Sequence, residues 1–343
     1  MDSPPHSAAP PVTVGLHAVI VAVSDEQPRL LVVRKPSHSL ARAAALGAVP
    51  AADPALAGLP YGPFDPEHDR TLELGLRRWV QALTRQPLGY VEQLYTFGDQ
   101  GRDPWERVGG PRVISVGYLA LVRETPPNPD FAAEWQDWYR FFPWEDWRDG
   151  RPALIDGRIA PMLEAWAAAA DTAARRERAS IAFGLAGAGW AGETVLERYE
   201  LLYEAGLVPE SWRDRGQEPP PALFQGGRPL LGEPMALDHR RILATAMGRL
   251  RGKIRYRPVV FELMPPHFTL LQLQRSVEAL SGVRLHKQNF RRLLEQNRLV
   301  EGTGAVEPHT GGRPAEQFRF RREVLRERPA AGIGLPERRD RTA

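Results

Sequence analysis

Between His267 and Arg322 the chain reads as helix, turn, helix and hairpin, and this order constrains the fold more than any other stretch. Thr269 can cap a first helix to which Gln272 reaches back, and Leu270, Leu273, Val277 and Leu280 recur on one face. Gly282 supplies the stop. In the next segment Phe290, Leu293 and Leu294 form a narrow apolar stripe, while Lys287, Gln288, Arg291, Arg292 and Glu295 share the opposite face at helical spacing. One side can be buried and the other offered. The offered side carries Gln, which suits an adenine edge, and Arg, which suits a guanine edge or a phosphate, with Asn289 beside them.

Leu299 to Glu301 then reads as a short strand, followed by a turn through Gly311, Gly312, Arg313 and Pro314 and a second strand from Gln317 to Arg321. Phe318 and Phe320 alternate with Arg319 and Arg321, so one face closes a core and the other meets a polyanion. This is the pattern of a winged helix-turn-helix on double-stranded DNA, with Arg313 at the wing tip suited to a narrow minor groove or a phosphate. The DNA-facing set is Thr269, Lys287, Gln288, Asn289, Arg291, Arg292, Arg298, Arg313 and Arg319. Gln288, Asn289, Arg291 and Arg292 are the expected base readers, and Lys287 and Arg298 the phosphate contacts. The alternative is a solvated basic face on a small helical subdomain.

Charge supports the first reading. The net value of +3 hides a segregation: from Met235 onward about 22 lysines and arginines stand against about 11 acids, and before it about 23 against about 31. A basic C-terminal third attached to an acidic remainder fits a nucleic-acid module joined to something else. The chain has no cysteine, which removes disulfide frameworks, cysteine nucleophiles and thiolate metal sites. The eight histidines show no metal-ligand spacing, and no P-loop or Rossmann fingerprint occurs. Neither a spanning segment nor a signal peptide is visible, so a cytoplasmic protein is expected.

Residues 1–11 form a polar, Pro-rich leader that reads as disordered. Val12 to Val23 and Leu30 to Arg34 read as strands joined by a turn at Asp25 to Pro28, Thr71 to Thr84 as a helix, and Arg112 to Val122 as a long apolar strand. A mixed sheet with helices, an α/β unit over residues 12–129, follows. Residues 130–234 are an insertion and linker. It opens with EWQDWYRFFPWEDWR, where crowded rings make a core or an interface, or stack on a base. Ile159 to Phe183 and Thr194 to Ala205 read as helices, and Arg213 to Pro234 as a linker. GLAGAGWAG, residues 184–192, has no preceding strand and reads as a loop between helices. Residues 235–325 comprise a joining helix, capped by Asp238, and the winged helix; a flexible tail covers 326–343.

Leu59 to Leu83 (LPYGPFDPEHDRTLELGLRRWVQAL), with VEQLYTFGDQGRDP at Val91 to Pro104 and RVISVGYLALV after it, resembles the Nudix box region of the Nudix-related transcriptional regulators of NAD biosynthesis, the NrtR group. DHRRILATAMGRLRGKIRYRPVVFELMPPHFTLLQLQ, NFRRLLEQNRLVEGTG and GGRPAEQFRFRR resemble the C-terminal part of the same group. The resemblance implies a Nudix-like mixed sheet with a helical insertion, followed by a C-terminal winged helix. It also implies a transcriptional regulator that controls NAD or related cofactor metabolism and senses a nucleotide such as ADP-ribose without a required cofactor; because one helix and one wing read a half-site, a homodimer on a palindromic operator is expected.

The box itself departs from the family pattern. Gly, Glu, Arg-Glu and Glu-Glu of that pattern fall on Pro63, Asp69, Arg77, Arg78, Gln81 and Ala82, so only Arg77 matches, with Asp69 partial. Mg²⁺ bound to a pyrophosphate needs several anionic oxygens, which Arg78, Gln81 and Ala82 do not supply. A lost hydrolase site with no catalytic residue and no metal is expected. The resemblance places Arg34, Arg78, Tyr95, Asp99, Arg102, Asp103 and Tyr118 at the ligand pocket. Arg78 either pairs with a phosphate or is a surface arginine, and Asp99 and Asp103 are equally well turn residues. Two other readings stay open: a Nudix-type pyrophosphohydrolase using displaced acids among Asp65, Glu67, Asp69 and Glu73, and a scaffold whose aromatic insertion docks a partner.

Overall fold

The computed structural model describes residues 12–34, 56–85, 88–169, 172–307, 314–327 and 332–334. The expected leader, most of the expected tail, and the wing tip with Gly311, Gly312 and Arg313 lie outside the described residues. β1 (Val12–Ser24) and β2 (Gln27–Val33) form a hairpin, and its two tight-turn residues, Asp25 and Glu26, take positive φ of 51° and 60°. β3 (Tyr61–Pro63) adds to β1; α1 (Leu72–Thr84) follows, with Thr71 accepting the Leu74 N–H at 3.1 Å as its cap. β4 (Val91–Phe97), β5 (Arg112–Leu121) and β6 (Ala133–Asp137) complete a sheet of order β4-β5-β1-β2-β6. β1 runs parallel to β5 and antiparallel to its other partners, so the sheet is mixed.

Because β6 pairs with β2, residues 133–137 belong to the sheet and not to an insertion starting at 130. Past β6 the chain turns through two short 3₁₀ segments that bury Trp138, Phe141, Phe142 and Trp144. A π-helical turn at Ile155–Ile159 leads into α2 (Ala160–Ala168), and α3 (Thr172–Phe183) folds back along it, with Arg176 gripping Glu164. The single helix expected from Ile159 to Phe183 is therefore two. α4 (Val195–Glu204), α5 (Pro209–Arg213), and a hairpin of β7 (Phe224–Gln225) and β8 (Arg228–Pro229) come next. This last stretch is no free linker: Leu223 and Leu231 are buried, and Arg213 donates to the carbonyls of Met235, at 2.6 Å, and Leu237.

α6 (His239–Tyr256) closes the back of the sheet. Alternation along β1 sends Leu16, Ala18 and Ile20 to one face, under Leu76, Val80 and Leu83 of α1. Val19 and Val21 go to the other, in one core with Ile242, Leu243 and Leu250 of α6. Burial on both faces explains the nearly continuous apolar runs of β1 and β5.

The C-terminal part has β9 (Phe268–Thr269), α7 (Leu270–Ser281), α8 (Lys287–Gln296), and a β10 (Val300–Glu307) and β11 (Ala315–Phe320) hairpin joined to β9. The predicted capping box is present: Gln272 N–H to Thr269 Oγ1 at 3.2 Å, Thr269 N–H to Gln272 Oε1 at 2.7 Å. Gly282 ends α7 at φ 73°. Phe268, Leu273, Val277 and Phe290 share one core with the aromatic segment and α6. No helix among the described residues is long and apolar enough to cross a membrane.

Candidate nucleic-acid interface and sensor face

α8 buries Phe290 and Leu294 and half-buries Leu293, which fixes its rotation. Lys287, Gln288, Asn289, Arg291 and Arg292 then point outward, exposed, and none makes a side-chain hydrogen bond or ion pair with another described residue. An amphipathic helix that holds five donors free on one face, three of them cations, can meet phosphates and base edges without first breaking bonds of its own. Arg298 is exposed at φ 46° just past the helix, with its carbonyl taken by Arg321 at 3.2 Å.

Two members of the expected DNA-facing set are placed otherwise. Thr269 is buried and its hydroxyl caps α7, which withdraws it from the surface. Arg319 donates to Glu301 across the hairpin at 2.6 Å, so it meets a polyanion only by leaving that partner. Arg313 lies outside the described residues.

The turn between α7 and α8 is clamped from behind. The Trp147 N–H donates to the Gly282 carbonyl at 2.7 Å, and the Tyr139 hydroxyl donates to the Ala279 carbonyl at 2.8 Å. Behind them the fully buried Glu145 carboxylate accepts from Arg198 at 2.6 and 2.9 Å and from Arg251 at 2.6 Å. Arg251 also donates to the Leu280 carbonyl, at 3.2 Å, and to the Gly192 carbonyl, at 3.0 Å, tying α6 to the end of α7. Sequence reasoning read these rings as core or interface but missed Glu145, although a lone acid inside an aromatic run signals a buried ion pair.

The seven residues expected at a ligand pocket do not converge. Arg34 pairs with Glu134 at the β2–β6 edge, while Tyr95, exposed, and Asp99 lie by β4 on the opposite edge. Tyr118 is buried under α1, where burial raises its phenol pKa. Arg78 reaches back to Asp69 at 3.0 Å. Asp69 is itself buried, accepts the Asp65 N–H at 3.0 Å, and lies where a Cβ on Gly75 would strike it at 2.6 Å. That carboxylate therefore closes a loop onto α1. Asp65 binds His68 at 2.7 Å, and Glu73 binds Arg77 at 2.8 Å.

Arg102 and Asp103 do lie together, on the opposite face of the sheet. Asp103 caps a 3₁₀ turn by accepting the Trp105 N–H at 2.9 Å. Arg102, nearly buried, donates to Asp238 at 2.9 and 2.5 Å and to the Ser115 hydroxyl at 2.5 Å. Asp238 makes no side-chain cap to α6, contrary to expectation, because its carboxylate is held by Arg102. This pair joins the loop after β4 to the start of the helix that leads to the winged helix.

Beside it His17 and His239 bury their rings 4.8 Å apart, and the Leu59 N–H donates to His239 Nδ1 at 2.9 Å. Burial pushes both imidazoles down, His239 to about 4, where Asp238 pulls the other way and Arg102 and Arg213 add repulsion. The folded state thus resists a proton that the unfolded chain accepts near the ordinary value of 6.5. Stability from His239 is full above pH 6.5 and falls as pH drops toward about 4, by about 3 kcal/mol across the window. Urea midpoints measured from pH 7 to 5 should decline, and His239→Gln should flatten the decline. An unchanged slope in that variant would move the titration to other groups.

Residues 260–320 match the family model of the NrtR DNA-binding winged helix domain. The curated ADPR responsive transcriptional repressor NtrR of Acinetobacter baylyi is 41% identical over 86 residues, 25% of this chain and 34% of that protein. The match thus spans about a third of the length of that curated relative. The NrtR of Shewanella oneidensis, solved in complex with a 27mer DNA, aligns with TM-score 0.51 at 21% identity, over 91% of this chain and 95% of that one. A MutT/nudix family protein from Enterococcus faecalis aligns with TM-score 0.51 at 15% identity, over 93% and 90%. At such identities the solved structures speak for the fold alone. The chain is thus a Nudix-like α/β protein with a C-terminal winged helix. The winged helix over residues 260–320 is of the NrtR DNA-binding type.

Proposed function

We propose that this protein is a cytoplasmic transcriptional regulator, a repressor, that reads operator DNA through α8 and the β10–β11 wing. The observation that carries the reading is the outward face of α8, where Lys287, Gln288, Asn289, Arg291 and Arg292 are exposed and uncommitted while the opposite face is locked in the core. One helix and one wing read a half-site, so the operator is a palindrome and the working species a homodimer. The curated relative is a repressor responsive to ADPR, and we infer that ADP-ribose or a related nucleotide is also the effector here. It binds the Nudix-like part, and genes of NAD or related cofactor metabolism are the targets.

The test is binding of the full chain to its own upstream DNA, titrated against salt, beside a scrambled duplex and with ADP-ribose present or absent. Saturable, sequence-selective binding that shifts with the nucleotide is expected. Equal binding to both duplexes, lost steeply with salt, would reduce the site to phosphate attraction.

The same reading makes the Nudix-like part a sensor without hydrolase activity. The nearest carboxylate of the box, Asp69, is buried and bound by Arg78 and by the Asp65 N–H, which leaves little of it for Mg²⁺. Incubation with ADP-ribose and Mg²⁺ should release no AMP. AMP release abolished by Asp69→Ala would instead make the protein a pyrophosphohydrolase.

A further inference from the structure

A cavity of about 950 Å³ opens between the aromatic segment, the glycine-rich loop, the C-terminal half of α6 and the turn before α8. Its size is that of a small-molecule site, typically about 300–1,000 Å³. None of the residues assigned above to DNA or to the nucleotide lines it. The loop is residues 184–192, whose Gly189 and Gly192 line the cavity. A Cβ on either glycine would meet no atom within 4 Å, so the space stays open where side chains would otherwise stand.

The lining has two chemistries. Trp147 and Trp190, ring centroids 4.5 Å apart, with Val283, form an apolar wall. Four arginines, Arg148, Arg251, Arg255 and Arg284, face two glutamates, Glu145 and Glu193. Arg251 is bound up with Glu145 and backbone carbonyls, and Arg148 with Asp146 and the β1–β2 turn. Arg284 differs. It is 43% exposed and gives Nη1 to Glu278 at 3.0 Å. Its Nε and Nη2 donate to no described residue, Nη2 standing 4.0 Å from the exposed Asp149. Arg255, bound to Glu193, lines the same cavity from α6.

We propose that this cavity is a second ligand site, separate from the nucleotide sensor, for a small organic anion that joins a planar apolar group to one phosphate or carboxylate. The planar group lies against Trp147, Trp190 and Val283. The anion takes the open donors of Arg284, with Arg255 as second cation. Ser281, Val283, Arg284 and Leu285, at the end of α7 and in the turn that leads into α8, form one wall. An occupant therefore touches the turn before the DNA-reading helix, whatever the nucleotide does.

The test uses the full chain without DNA, titrated by calorimetry and tryptophan fluorescence with phenyl phosphate, benzoate, benzyl alcohol and inorganic phosphate. Saturable binding of phenyl phosphate or benzoate is expected, and which of the two binds tighter identifies the anion class. Binding should weaken by roughly tenfold or more in Arg284→Ala, the size of one charge-assisted hydrogen bond. Arg284→Ala should fold, because Glu278 keeps Arg275 at 2.8 Å, Gln274 at 2.8 Å and the Leu285 N–H at 2.9 Å. Arg255→Ala gives a second, independent loss. No saturation, undiminished affinity in both variants, or benzyl alcohol or inorganic phosphate binding as well as phenyl phosphate would each overturn the proposal. ADP-ribose response and operator binding are measured separately, so failure here leaves the regulator reading intact, and the reverse.

Discussion

Replacing Glu145 with alanine should lower the unfolding free energy by about 3–5 kcal/mol, the cost of stranding buried charge. The carboxylate is fully buried and holds two guanidinium groups, Arg198 and Arg251, which are buried as well. Burial on its own would raise the carboxyl pKa, but the two arginines outweigh it and the group ends below its ordinary value. It is therefore ionised in the fold, and without it two cations have no counter-charge. Arg198 would keep the Ala191 carbonyl at 2.9 Å, and Arg251 the carbonyls of Leu280 and Gly192, which solvate but do not neutralise. Urea denaturation at pH 7 measures the loss, and a change under about 1 kcal/mol would mean the charges are reached by water. A triple change of Glu145, Arg198 and Arg251 to apolar residues of similar volume should recover much of the loss, because the cost lies in the unpaired charge. Hydrogen exchange should also quicken at Gly282 to Leu285, since Trp147 and Tyr139 hold that turn through the same network.

Arg291→Ala with Arg292→Ala should weaken operator binding by about 1–3 kcal/mol for each arginine that reads a base. Both side chains are exposed and pair with no described residue, so neither substitution disturbs the fold and thermal stability should hold. The two possible roles separate by salt. Removing an arginine that reads a base relaxes preference for the cognate duplex over a scrambled one; removing one that holds a phosphate weakens binding to both and lowers the salt slope by about 1. Fluorescence anisotropy on the two duplexes at several salt concentrations reads the difference. Unchanged affinity of both variants for the cognate duplex would remove α8 from the interface.

The winged helix was legible because its cues are local. Thr269, Gln272 and Gly282 mark the ends of α7 by backbone chemistry within a few residues, and the stripe of Phe290, Leu293 and Leu294 shows which side of α8 is buried. The mixed sheet was legible for the same kind of reason, since a strand buried on both faces must be apolar along its length, as β1 and β5 are. Site residues carried over from the resemblance are not gathered by the fold. Arg34, Arg78, Tyr95 and Tyr118 have suitable chemistry, but they sit on different edges and faces of the sheet. Arg102, which the resemblance puts at a ligand pocket, donates to Asp238, 136 residues away.

By itself the sequence determined the ends of α7, the exposed basic face of α8, the apolar strands and the loss of the acidic spacing at Arg78, Gln81 and Ala82. Each follows from neighbours along the chain, where periodicity and capping act. The tertiary structure alone decided that β6 joins the sheet, that Asp238 binds Arg102 instead of capping its helix, that Glu145 gathers Arg198 and Arg251, and that Trp147 holds the turn before α8. Those interactions join distant segments through buried charge and close packing. Their partners are selected by desolvation in a shared core, which no local pattern records.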